Sequence, residues 1–149
     1  MFAEVDAVTI CSPNACHAEM TIAALQAGIH VLCEKPMAIT TAEARMMLEA
    51  AKKANKVLSV GYHYRFMKEA AAAKRIMSND EIGKPLVIRA QALRRRKVPG
   101  WGVFTHKRWQ GGGCLIDYGS HLLDLAQWLM GNPQPLEIIG STYDALSKT

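Results

Sequence analysis

Three residues of this chain are, by type and spacing, candidates for chemistry. Lys35 sits in Glu34-Lys35-Pro36, directly behind the apolar run Ile29-His30-Val31-Leu32-Cys33. An ammonium at a strand end can reach a substrate oxygen, and partial burial can lower its pKa toward a useful range. The competing reading is a solvated loop lysine. Asp117 and His121 are spaced i, i+4 in a helical pattern, so they share a face. An imidazole beside a carboxylate works as a general acid/base, because the carboxylate orients the ring and stabilises its charged form. Asp124, three residues further on, can serve the same end. The competing reading is a surface pair that adds only a few tenths of a kcal/mol.

Other groups are less specific. His17 follows the turn Ser12-Pro13-Asn14 and either touches a ligand or fills the first turn of a helix. Cys11, Cys16, His17 and Cys33 are zinc-ligand types, but their spacing matches none of the usual sites, and Cys11 and Cys33 suit buried strand thiols. No metal site is therefore expected. Arg94-Arg95-Arg96-Lys97 lies near Trp101 and Trp109, a combination that suits an anionic partner, nucleic acid among them. In a strand, however, alternate residues face opposite ways, so only half of that charge shares a face. A run at an exposed strand end, or a few contacts to a substrate or cofactor phosphate, accounts for it without nucleic acid. The chain contains no Gly-x-Gly-x-x-Gly and no Walker motif: Thr105 and Ile116 stand where the third glycine would be.

These residues need elements to position them. Val5 to Cys11 is a short β-branched run closed by Ser12-Pro13-Asn14, and reads as a buried strand. Ala15 to Ala27 reads as a helix stopped by Gly28, Ile29 to Cys33 as a second strand, and Val57 to Gly61 as a third. Between the last two, Thr40 and Glu43 form a capping box for a helix running to about Asn55, with Ala44, Met47, Leu48 and Ala51 on one face. This alternation predicts parallel βαβ units, a sheet covered on both faces, and ligands at the carboxyl ends of the strands. Beyond Phe66 the pattern predicts a helix over Met67–Met77, a strand over Leu86–Leu93, an ordered loop over Val98–Gln110, a helix over Leu115–Met130 and a strand over Leu136–Tyr143.

Composition bounds the class. The chain has 149 residues, half of them hydrophobic and 21% charged, with a net charge of +5. That is globular rather than disordered. No apolar run is long enough to span a bilayer, so no membrane partner is expected. The four cysteines form no Cys-x-x-Cys pair, which favours reduced thiols in a cytoplasmic protein.

Taken together, the motifs resemble the Gfo/Idh/MocA oxidoreductases, the family of glucose-fructose oxidoreductase and inositol dehydrogenase. The resemblance rests on Val5 through Ser12-Pro13-Asn14 and His17, then Gly28 through Glu34-Lys35-Pro36. It continues through Val60-Gly61-Tyr62-His63-Tyr64-Arg65-Phe66 and Gly111-Gly112-Gly113 through His121 to Asp124. It implies an α/β chain: the second half of a Rossmann-type parallel sheet in residues 1–65, then the start of an α+β domain with a largely antiparallel open sheet in residues 66–149. It also implies hydride transfer between NAD or NADP and a sugar, polyol or inositol-like substrate, and a homo-oligomer in the intact family member. By resemblance Lys35, Asp117 and His121 are catalytic, with His121 the acid/base. Ser12, Pro13, Asn14, His17, Glu34, Lys35, His63 and Tyr64 face the cofactor, and Trp101 and Trp109 join Asp117 and His121 at the substrate.

The family's first strand, glycine-rich turn and first helix have no counterpart here. At about 30 residues per βαβ unit, that corresponds to roughly 60–70 residues. The expectation is a segment of a longer enzyme whose own Val5–Ile10 strand leaves an unpaired edge. A truncated, non-catalytic interaction or vestigial module that binds no dinucleotide tightly is the alternative function.

Overall fold

A computed structural model describes residues 4–96 and 98–143; Met1 to Ala3 of the opening and Lys97 of the basic run lie outside the described residues. Three strands, β1 (Ala7–Ile10), β2 (His30–Cys33) and β3 (Leu58–Val60), form one parallel sheet in the order β1-β2-β3. Ala7 pairs with His30 and Ile10 with Cys33, while Val31 pairs with Leu58 and Cys33 with Val60. Two helices, α1 (His17–Gln26) and α2 (Thr41–Ala54), make the crossovers and pack against each other. Strand side chains alternate in direction, so Ile10, Val31 and Cys33 turn inward to meet Leu25, Met47 and Ala51 in the core.

The helix boundaries follow local chemistry. The Thr40 side chain accepts from the Glu43 backbone N–H, and the Glu43 carboxylate accepts from the Thr40 N–H. At the far end of α2, Asn55 takes a left-handed φ of 50° and stops the helix. Gly28, at φ 81°, turns the chain from α1 into β2.

The expectation of a sheet covered on both faces does not hold among the described residues. Ala7, Thr9, Leu32 and Ser59 point away from the helices and are exposed. Both crossover helices pack together, so one face is covered and the other is open.

Beyond Val60 a 3₁₀ turn (His63–Phe66) leads into α3 (Lys68–Ser78). A four-residue helix α4 (Lys107–Gln110), a π-helical turn (Leu115–Gly119) and α5 (Ser120–Leu129) follow. The strands expected over Leu86–Leu93 and Leu136–Tyr143 do not form. Leu86, Val87, Leu93, Leu136, Ile138 and Ile139 are all exposed, Leu136 to 97%. A strand needs a neighbour to take its backbone hydrogen bonds, and among the described residues neither segment has one.

Candidate active site

The carboxyl ends of the three strands bring the anticipated loops side by side. Glu34 N–H donates to the Ile10 carbonyl and Gly61 N–H to the Cys33 carbonyl, which ties the three strand ends together. His17, fully buried in the first turn of α1, locks this edge: Nδ1 lies 2.7 Å from the Pro36 carbonyl and Nε2 lies 3.0 Å from that of Ser12. Its place is thus structural support for two loops. Cys11 and Cys16 are not fully buried, and no metal-binding cluster of His, Cys, Asp and Glu occurs among the described residues.

Lys35 projects from the end of β2 to the π-helical turn. Its Nζ donates to the Asp117 carbonyl at 2.6 Å and to Asp117 Oδ1 at 3.1 Å, joining residues 82 apart in sequence. An ammonium has three donors; among the described residues the third is unused. The Glu34 carboxylate turns back to accept from the Lys35 N–H at 3.2 Å. It packs on Gly61, where a Cβ would come within 3.2 Å of Oε2.

His121 lies in the first turn of α5, 5% exposed. It makes no hydrogen bond with Asp117. Asp117 sits in the π-helical turn, so the α-helical phase that would align it with His121 is not kept, and it serves Lys35 instead. Nor does Asp124 hold the imidazole, because it is paired with Arg65. Rings replace carboxylates: Tyr64 stacks on His121 with centroids 4.5 Å apart and planes 13° off parallel, and His63 meets it edge-on at 4.6 Å. Nδ1 of His121 is buried with no hydrogen-bond partner. Burial, then the nearby Lys35 ammonium and His63, hold the His121 pKa below its ordinary value; the Glu34 and Asp117 carboxylates oppose this. At neutral pH the ring is uncharged and able to accept a proton.

Several contributors escaped the sequence reading. Tyr118 hydrogen-bonds to Tyr64 through their hydroxyls at 2.9 Å, and this bond, more than burial, raises the Tyr64 pKa and keeps the phenol protonated. Its spacing of i, i+3 from His121 was the available signal. Gln110 accepts from Asn14 Nδ2 through its backbone and side-chain oxygens, at 3.0 and 2.7 Å, and so fastens α4 to the turn after β1. Nothing local in the sequence marks that pair. Trp101 packs on Phe104 and is 71% exposed, and Trp109 lies under the Arg108 guanidinium. Neither makes a hydrogen bond or ring contact with Lys35, Asp117 or His121 among the described residues.

Polar loops gathered at the carboxyl edge of a parallel sheet mark the open α/β proteins, which take ligands there. The comparisons with known proteins narrow the class. Residues 1–62 match the NAD-binding Rossmann fold model of the Gfo/Idh/MocA oxidoreductases, and residues 70–146 match the Gfo/Idh/MocA C-terminal domain. This chain belongs to that family. It is 49% identical over 128 residues to D-glucoside 3-dehydrogenase of Escherichia coli (strain K12), a match covering 86% of this chain and 36% of that enzyme. Myo-inositol 2-dehydrogenase of Thermotoga maritima is 35% identical over 127 residues, covering 85% and 36%. A solved levoglucosan dehydrogenase in complex with NADH and levoglucosan superposes with a TM-score of 0.73 at 33% identity, covering 86% of this chain and 35% of that one. The chain thus spans little more than a third of these relatives' length. Among the described residues, no helix is long and apolar enough to cross a membrane.

The residues present fit the reacting end of a nicotinamide cofactor: three loops converge at the strand ends, beside a buried neutral imidazole and an ammonium with a spare donor. A glycine-rich cradle for the pyrophosphate is not among them.

Proposed function

We propose that this chain supplies the catalytic centre of an NAD- or NADP-dependent oxidoreductase acting on the CH–OH groups of a sugar, polyol or inositol-like substrate. The observation that carries the reading is the union of Lys35 with Asp117 at 3.1 Å, beside an uncharged, buried His121. The nicotinamide ring, when bound, supplies the hydride acceptor. His121 takes the hydroxyl proton as the neighbouring C–H gives up its hydride, so that CH–OH becomes C=O. The spare Lys35 donor steadies the negative charge developing on that oxygen, and Asp117 holds the ammonium in place. Ser12, Pro13, Asn14, Glu34, His63 and Tyr64 line the cofactor side, with His17 behind them. Trp101 and Trp109, carried on the segment before Gly111, face the substrate.

Residues 1–65 then form the cofactor-binding part and residues 66–149 the substrate and oligomerisation part. Four free cysteines suit a reducing, cytoplasmic compartment. The relatives' printed names favour a small carbohydrate partner and an enzymatic role over a vestigial module.

Turnover tests the proposal. Lys35→Ala and His121→Ala are each expected to lower sugar oxidation by about 100-fold or more in the active polypeptide. Either variant retaining turnover within about threefold removes that residue from the mechanism.

A further inference from the structure

His121 lacks the usual means of orienting a catalytic imidazole. Its buried Nδ1 has no partner, Asp117 is bound to Lys35, and Asp124 is bound to Arg65. Besides Tyr118 of the π-helical turn, which meets the ring edge-on, what touches it is the segment Tyr62–Phe66 at the end of β3: Tyr64 stacks on it, and His63 and Tyr62 meet it edge-on. The same segment grips the helix that carries it. Arg65 Nε donates to Asp124 Oδ2 at 2.7 Å and Arg65 Nη2 donates to Asp124 Oδ1, a bidentate pair. The Asp124 side chain is only 10% exposed. One helical turn further, Trp128 lies against the Arg65 guanidinium and the Lys74 ammonium, at 5.9 and 5.4 Å from the ring centre. Lys74 Nζ also donates to the Trp128 carbonyl at 2.7 Å.

We propose that the Arg65–Asp124 pair is the positioning device for His121: it sets the spacing between the Tyr62–Phe66 segment and α5, and the ring stack then fixes the imidazole. Arg65 and Asp124 do not touch the reacting atoms; they act through Tyr64 and His63. The inference rests on His121 being the proton acceptor. The groups facing the imidazole are Lys35, Glu34, Asp117 and His63, with the rings of Tyr62, Tyr64 and Tyr118.

The test is a proton–carbon NMR titration of the histidine Cε1–H signals of this chain, with His121 assigned by His121→Gln. Asp124→Asn separates two effects of opposite sign. Removing a negative charge alone would lower the His121 pKa further. Losing the spacing would open the ring to water and raise the pKa toward its ordinary value, and would also erase the ring-current shift from Tyr64. The expected result is the rise and the lost shift. The charge-swapped double variant Arg65→Asp/Asp124→Arg is expected to restore both signals. An unchanged or further lowered His121 pKa in folded Asp124→Asn overturns the proposal. Should Asp124→Asn not fold, the swap decides: restored His121 signals support the pair, and a swap that lacks them or does not fold overturns it. Failure of the proton-acceptor reading shows separately, as turnover surviving His121→Ala whatever the titration reports.

Discussion

Residues 7–60 and the segments 82–106 and 132–143 all carry large apolar side chains, yet those side chains end in opposite states. In the first, Leu25, Cys33 and Met47 are withdrawn completely from water beneath a three-stranded sheet. In the others, Leu86, Val87, Ile138 and Ile139 are exposed and belong to no regular element. Residues 7–60 are richer in apolar side chains, but the larger difference is closure. A βαβ unit supplies its own neighbour: the chain leaving β1 returns through α1 as β2, so the strands pair and one apolar face is covered within about 30 residues. The later segments have apolar residues but, among the described residues, no strand partner. The site lies where the closed unit meets the helices between those segments.

The sharpest way to break this contrast is to empty each region in turn. Met47→Ala or Leu25→Ala is expected to cost about 2–5 kcal/mol, whereas Leu136→Ala or Ile138→Ala should stay within about 0.5 kcal/mol. Urea denaturation reads both, and comparable losses would erase the distinction. Amide exchange should agree, with Val31 and Cys33 protected and Leu86–Leu93 exchanging freely.

The seam between the regions comes next. Gly111 holds φ 82°, and a Cβ there would lie 2.6 Å from Ile39 Cβ and Cγ2. Gly111→Ala is expected to destabilise by about 1–3 kcal/mol from overpacking, with strain from the left-handed backbone added. Ile39→Ala in the same chain should recover the overpacking part, and a null effect of Gly111→Ala would mean the two regions are not in contact there. Within the closed unit, Thr40→Ala removes one arm of the capping box and should cost about 1 kcal/mol, seen as a lower midpoint with an unchanged slope.

The smallest effect concerns pH. The His121 pKa is held below its unfolded value of 6.5. The unfolded chain therefore takes up a proton first as pH falls. The stability linked to His121 is complete above that value and is lost as pH drops through the lowered folded pKa. Relative to His121→Gln, the wild-type chain should lose stability on acidification from pH 7.5 to 5; an equal response in both chains would place His121 in water. Under the proposed function, the same sign extends proton acceptance by His121 into mildly acidic conditions.

Legibility in the sequence tracked the range of the interaction. Thr40 with Glu43, Gly28 after α1 and Asn55 after α2 all read correctly, because caps are settled within one helical turn. So did the three apolar strands. The strands over Leu86–Leu93 and Leu136–Tyr143 did not, because alternation only proposes a strand and a neighbour must accept it. The helix expected over Leu115–Met130 forms, but its first turn is π-helical, and that turn aims Asp117 at Lys35 instead of His121.

By itself the sequence determined the βαβ order and most helix ends, because these depend on neighbours a few residues away. Tertiary structure alone decided which carboxylate serves which cation. Asp117 meets Lys35 across 82 positions and Asp124 meets Arg65 across 59. The physical reason is that an ion pair is chosen by distance in space after the helices have packed, and spacing along the chain carries no record of that distance.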